Sequence, residues 1–224
     1  MRFYISGRIR LGLALMGSTL TSVVLFATGA LSNHDAEFAY LIWNLFLAWI
    51  PLLIVLWLER ILHRKLWSSW QALAITLLWV GFLPNSFYMI TDYVHLQDVQ
   101  RVDLLSDVVM FTSFIFNGVV LGLLSLHLVH QELLRRLSKR SSALLIGAVL
   151  LLCSFAIYIG RDLRWNTWDI LANPSGVLVD VSNRVLSPRA HPQVVSTTLS
   201  FFVLLASVYT VSWFVGRNLR QQKV

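Results

Sequence analysis

The chain has 224 residues, of which 57% are hydrophobic and 13% are charged, and its formal net charge is +7. Its mean hydropathy is +0.68. Soluble domains carry roughly 25% charged residues, so this composition excludes a soluble globular protein and indicates one that is embedded in a membrane. The single cysteine, Cys153, excludes an intrachain disulfide and a metal site built from several cysteines.

Six apolar runs are long enough to cross a hydrocarbon layer of about 30 Å, which takes about 20 helical residues. Each run must be helical, because lipid offers no hydrogen-bond partners to an open backbone. The predicted spans cover residues 11–31, 38–58, 67–83, 108–129, 143–159 and 194–215. The first run is longer than the apolar part of a cleavable signal peptide, so we expect it to be retained. The sequence thus predicts an all-α, polytopic membrane helix bundle, with residues 1–224 forming one integral membrane domain.

The basic residues predict how the helices are oriented. Thirteen of the 18 Lys and Arg residues lie before the first span, between spans two and three, between spans four and five, or after span six. Nine of the 11 acidic residues lie in the other connections. Because cytoplasmic loops carry the excess of Lys and Arg, both termini are predicted to face the cytoplasm. Basic residues in such loops orient helices and contact lipid headgroups, so the net charge does not indicate a nucleic-acid partner.

A polar segment follows the third apolar run. Pro84 lacks a backbone N–H and disfavours helix at Leu83, which predicts that span three ends or kinks there. If a helix resumes beyond it, four polar residues at offsets of three, four and three share one face. These residues are Asn85, Tyr88, Asp92 and His95. Another face of the same helix would carry Met89, Tyr93 and Leu96.

Asp92 and His95 are the candidate catalytic pair. At a separation of three residues they could pair with each other, bind a metal or transfer a proton. The structural alternative is an acidic outer loop whose short polar side chains cap helix ends by hydrogen bonds.

A second polar segment follows the fifth apolar run. Arg161 and Arg164 are three residues apart, a spacing at which two guanidinium groups can hold one anionic group. The candidate substrate-binding residues are Arg161, Arg164, Asn85, Tyr88, Asn166 and Asp169. The alternative is a polar clamp in which the two arginines pair with Asp92, Asp107 or Asp169 and tie the loop to the bundle.

Deeper polar residues are few. Asn117 is predicted to lie near the membrane midplane beside Gly118 and Gly122, a GxxxG pair that permits close helix contact. We interpret Asn117 as a contact between helices rather than a transport ligand. No acidic residue falls at mid-depth, where an ionised Asp costs about 2.5–3.5 kcal/mol, and this counts against a proton-driven transporter.

The connection over residues 162–193 is long for a segment without structure. Apolar and polar residues alternate at roughly helical spacing from 177 to 186. This pattern predicts a short amphipathic helix on the outer surface, where it acts as a lid or lipid contact or simply anchors the loop at the interface.

Three blocks, taken in chain order, resemble a known family. The first is Tyr40-Leu41 with Trp43-Asn44, Ala48 and Pro51. The second is Leu83-Pro84-Asn85 with Tyr88, Thr91-Asp92 and His95-Leu96. The third is Gly160-Arg161 with Arg164-Trp165-Asn166 and Trp168-Asp169. Over roughly residues 40 to 215, the chain resembles the bacterial membrane-protein family catalogued as domain of unknown function 1361. The resemblance implies a multi-pass protein of the bacterial cytoplasmic (inner) membrane and brings no established activity or cofactor.

Two functions of different classes stay open at this point. The first is an outer-face enzyme in which Arg161 and Arg164 hold a lipid-linked or anionic substrate while Asp92 and His95 move a proton or hold a metal. Asn85, Tyr88 and Asn166 would orient these groups. The second is a non-catalytic membrane component: a small-ligand binder, or an assembly or stability factor of a larger complex. The expected partners are the lipid bilayer and a lipid or anionic small molecule, while cofactors and protein partners are unknown.

Overall fold

The computed structural model describes residues 2–33, 37–97, 104–162, 172–187 and 190–221. Its α-helices, in chain order, are α1 Arg2–Asn33, α2 Tyr40–Leu62, α3 Trp70–Tyr88, α4 Leu104–Leu134, α5 Lys139–Asp162, α6 Pro174–Leu186 and α7 Pro192–Gln221. A short 3₁₀ helix, Glu37–Ala39, precedes α2, and a longer one, Met89–Gln97, follows α3. No strand occurs within these ranges.

The six predicted spans are confirmed. Helical stretches long and apolar enough to cross a membrane cover Gly7–Leu31, Glu37–Leu62, Trp70–Leu96, Leu104–Leu134, Lys139–Asp162 and Pro192–Asn218. Most of them extend beyond the apolar runs in the sequence, because a helix keeps forming its own backbone hydrogen bonds after it leaves the hydrocarbon layer. The chain is therefore an all-α, multi-pass membrane protein.

The bundle has two ends, which we name after their buried acids. The Asp92 end contains the beginnings of α2 and α4 and the ends of α3 and α5. The Glu132 end contains the end of α4 and the beginning of α5, and there Arg8 of α1 pairs with Glu59 of α2. The connections that the charge pattern predicts to be cytoplasmic thus meet at the Glu132 end.

The third helix does not end at Leu83. Of the two outcomes predicted for Pro84, an end or a kink, the helix end is therefore wrong. α3 continues through Pro84 to Tyr88 and only then tightens into the 3₁₀ helix. Packing explains this continuation, since Ser86 and Phe87 are fully buried and Ser86 Oγ donates to the carbonyl of Ala48 on α2 at 3.0 Å. These contacts hold the turn after Pro84 even though proline removes one backbone donor.

The last turn of α3 packs against two glycines of α4. A Cβ atom at Gly118 would lie 2.6 Å from the Sδ of Met89 and 2.7 Å from the carbonyl oxygen of Ser86. A Cβ atom at Gly122 would lie 2.8 Å from the Phe87 ring. The predicted GxxxG contact is therefore present, and its partner is the turn that carries Pro84 into the 3₁₀ helix.

Asn117 makes the contact between helices that the sequence predicted, and the structure shows that the helix it joins to α4 is α1. Its Nδ2 lies 2.8 Å from Ser22 Oγ and 3.2 Å from the carbonyl oxygen of Ser18. Asn117 and Ser22 are both buried, so this polar contact lies inside the helix interface, where α1 packs on α4.

The predicted helix in the last long connection is also present. α6 begins after Asn173, whose side-chain oxygen accepts a hydrogen bond from the backbone N–H of Gly176 at 3.1 Å. Pro174 occupies the first helical turn, where its missing N–H costs no bond. Leu178 and Val179 are exposed side chains of this helix. Its placement on a membrane surface stays a prediction.

Candidate functional site at the Asp92 end

Asp92 forms the centre of the site. It lies on the 3₁₀ helix Met89–Gln97 and is only 2% exposed. Asn44, on the second turn of α2, donates from Nδ2 to Asp92 Oδ2 at 3.2 Å. Burying a carboxylate is costly unless it is hydrogen-bonded or paired, so the Asn44 amide stabilises Asp92 in this position and ties α2 to the 3₁₀ helix.

The 3₁₀ geometry decides which residues share a side. With three residues per turn, residues i and i+3 eclipse each other, so Met89, Asp92 and His95 lie on one side of the segment. Met89 and Asp92 are buried, whereas Tyr93 is 39% exposed. The expected α-helical arrangement, with Met89, Tyr93 and Leu96 on a face of their own, is therefore wrong for this segment.

His95 lies against Tyr40, the first residue of α2. The two rings meet edge to face, with their centroids 5.3 Å apart and their planes at 62°. The Tyr40 hydroxyl is within electrostatic range of Asp92 and Tyr88. Among the described residues, this hydroxyl is buried and has no hydrogen-bond partner.

Arg161 approaches the same site from the end of α5. It is partly exposed, and its positive charge acts on the Asp92 carboxylate at longer range than a direct ion pair. Asp107 is buried in the first turn of α4, at the same end of the bundle. Arg161 and Asp92 thus lie at the same end of the bundle, without a direct ion pair between them.

The remaining predicted site residues divide into two groups. Asn85 donates from Nδ2 to the carbonyl of Phe82 on its own helix at 3.1 Å, and Tyr88 lies near Tyr40. Arg164, Asn166 and Asp169 fall outside the described residues. The resemblance blocks included Tyr40 and Asn44, but reasoning from residue types did not place them in the site. The sequence feature that could have pointed to them is their spacing of four residues, which puts both side chains on one face of α2.

The capacity of this cluster to hold a metal depends on its ligand number. Asp92 and His95 supply two groups of the kind that metals prefer. In the part of the chain that the structure describes, no group of three or more His, Cys, Asp or Glu side chains is arranged to hold an ion.

Comparison with protein families gives a match over most of the chain. A family model described as protein of unknown function, DUF1361, matches residues 43–208. Comparison with curated proteins and with solved structures finds no match. The matched range is more than half of the chain and includes Asn44, Asp92, His95 and Arg161.

Proposed function

The chain belongs to the DUF1361 family, and we propose that it is a membrane enzyme that binds a lipid-linked or anionic substrate at the Asp92 end. In this proposal Arg161 holds the anionic group, and Asp92 with His95 moves a proton. The Asp92 end faces the outer side of a bacterial cytoplasmic membrane, with both termini in the cytoplasm.

One observation carries this proposal: the buried Tyr40 hydroxyl lacks a hydrogen-bond partner within the described residues and is within electrostatic range of the buried Asp92 carboxylate. An unsatisfied buried polar group costs about 1–3 kcal/mol. Such a cost is understandable where a bound polar group completes the hydrogen bonding. A substrate hydroxyl or phosphoryl oxygen between Tyr40 and Asp92 would meet this requirement.

The chemistry of the neighbouring groups supports the same assignment. A carboxylate and an imidazole on one side of a 3₁₀ helix are groups that transfer protons. The partly exposed guanidinium of Arg161 offers donors to an anion and adds positive charge near the reacting group. A site at the end of the bundle is also within reach of a lipid-linked substrate that diffuses in the membrane plane.

Tyr40→Phe is the sharpest test, because it removes only the hydroxyl. The protein is purified in mild detergent, and ligands that copurify are identified by native mass spectrometry. We expect Tyr40→Phe to fold at least as stably as the parent and to lose the copurified ligand. Arg161→Gln should lose it as well, while Arg184→Gln, which removes a guanidinium from α6, should retain it.

Catalysis is tested by substituting Asp92→Asn, which keeps the shape of the side chain and removes its proton-transfer role. Lipid extracts of cells that express the parent or the variant are compared by mass spectrometry. A lipid species that accumulates with Asp92→Asn and declines with the parent supports an enzyme. Equal lipid profiles, together with full ligand retention by Tyr40→Phe, would contradict the proposal.

A second function is favoured by a separate observation. The Asn44–Asp92 hydrogen bond and the seat of Ser86 and Phe87 on Gly122 join α2, α4 and the end of α3. This arrangement suits a non-catalytic component, such as an assembly or stability factor, whose polar end holds the helices together. On this alternative, Asp92→Asn retains both the fold and the cellular role, because an amide can still bond to Asn44.

A further inference from the structure

A second cavity lies at the Glu132 end, far from the Asp92 cluster. It has a volume of about 600 Å³ and opens between α4, α5 and α7. Three basic side chains line it: Arg135, Lys139 and Arg217. Small-molecule sites typically occupy about 300–1,000 Å³, so this cavity is large enough for a ligand.

One wall of the cavity is aromatic and well supported. The rings of Trp213 and His130 stack, with centroids 4.1 Å apart and planes at 26°. His130 Nδ1 lies 2.7 Å from the buried Tyr209 hydroxyl, which holds the imidazole in place. His127 packs against the same Trp213, with ring centroids 5.0 Å apart. The wall is therefore built from the contact between α4 and α7.

The charge of the cavity is positive. Glu132, next to the lining residue Gln131, is 5% exposed and is bound by both Arg135 and Arg136. Lys139 and Arg217 are exposed and form no ion pair within the described ranges. Lys139 is also the first residue of α5, so the positive end of that helix dipole adds to the side-chain charges. These charges would attract an anion.

We propose that this cavity binds a phosphate-bearing anion, supplied either by the headgroup of an anionic phospholipid or by a soluble phosphorylated compound. Lys139 and Arg217 provide the charge, and Gln131 and Arg135 provide further donors. Leu134 and Ala143 line its apolar part. The cavity lies where α4 and α7 end and α5 begins, and basic pockets between spanning helices bind anionic headgroups.

The test uses the full chain in detergent and measures dissociation constants by native mass spectrometry for three ligands. These ligands are dihexanoyl phosphatidylglycerol, dihexanoyl phosphatidylcholine and glycerol 3-phosphate. The double variant Lys139→Gln with Arg217→Gln should weaken phosphatidylglycerol binding by roughly tenfold or more. The control pair, Arg10→Gln with Arg140→Gln, removes the same charge from exposed positions outside the cavity and should leave binding unchanged.

Gly216→Leu tests whether binding needs the cavity itself or only the positive charge of the surface. A Cβ atom at Gly216 would point at His127, whose Cε1 lies 4.0 Å away, so a longer side chain fills the cavity without changing any charge. We expect Gly216→Leu to fold and to lose binding as the double variant does. Tighter binding of phosphatidylglycerol than of the other ligands identifies a lipid source, and equal binding of glycerol 3-phosphate identifies a soluble one. Unchanged binding in both variants, or an equal loss in the control pair, overturns the proposal.

Discussion

Asn44 Nδ2 lies 3.2 Å from Asp92 Oδ2, a hydrogen bond between residues 48 positions apart in the sequence. It joins the second turn of α2 to the 3₁₀ helix that follows α3. Asp92 is 2% exposed, so its carboxylate has little contact with bulk water and relies on donors from the protein. The bond therefore contributes to stability whether or not Asp92 also takes part in chemistry.

Removing one partner of this bond should cost more than removing both. Asn44→Leu leaves a buried carboxylate without its amide donor, and we expect a loss of about 1–3 kcal/mol in the free energy of unfolding. The double variant Asn44→Leu with Asp92→Leu replaces both groups by apolar ones, which can be nearly neutral. Thermal unfolding in detergent compares these two variants with the single variant Asp92→Leu. A double variant that is less stable than either single variant would contradict this expectation. It would show that the two side chains stabilise the protein by more than the hydrogen bond between them.

The close contact of Gly118 and Gly122 on α4 with the end of α3 predicts that a larger side chain there destabilises the protein. Gly122→Ala would bring a methyl group within 2.8 Å of the Phe87 ring, and we expect a destabilisation of about 1–3 kcal/mol from overpacking. Gly147→Ala on α5 is the matched control, because its new Cβ would meet nothing within 4 Å. That substitution should be neutral or stabilising, since Ala is the better helix former. Equal thermal stability of the two variants would contradict the close contact.

The attachment of α1 should depend on Asn117. Asn117→Ala removes the amide that reaches Ser22 Oγ and the carbonyl of Ser18. We expect the free energy of unfolding to fall by about 1 kcal/mol and α1 to become more open to hydrogen exchange than α2. Ser182→Ala, an exposed hydroxyl on α6, serves as the control. Unaltered exchange in α1 would show that apolar packing alone holds this helix.

The orientation is tested with single cysteines. Cys153→Ala gives a background without cysteine, because Cys153 is the sole cysteine of the chain. Ser182→Cys on α6 and Ser68→Cys between α2 and α3 are exposed positions. A membrane-impermeant maleimide should label Ser182→Cys in intact cells and Ser68→Cys only after permeabilisation. The reverse pattern would place the Asp92 end in the cytoplasm.

The sequence predicted part of the candidate site. It made Asp92, His95 and Arg161 candidates, because polar residues directly after long apolar runs are confined to the ends of the bundle, and the structure places all three at one end. It did not assign Tyr40 and Asn44 to the site, since both lie within a predicted helix where their partners cannot be read from spacing. The cavity at the Glu132 end was missed as well, because His127 and Trp213 meet only when α4 and α7 pack together.

The number of spans and their helical character were determined by the sequence alone. Each apolar run is about as long as the hydrocarbon layer is thick, and a backbone in lipid must form its hydrogen bonds internally. Both requirements are local, so they can be read from consecutive residues.

Tertiary packing decided what happens after Pro84 and which groups Asp92 meets. Pro84 predicted an end or a kink at Leu83. Instead, α3 continues to Tyr88, because Ser86, Phe87 and Met89 pack against Gly118 and Gly122, and this packing places the 3₁₀ helix beside α2. A contact such as Asn44–Asp92 depends on how two distant helices are positioned relative to each other. That positioning results from the fit of many side chains at once, and no single stretch of sequence contains it.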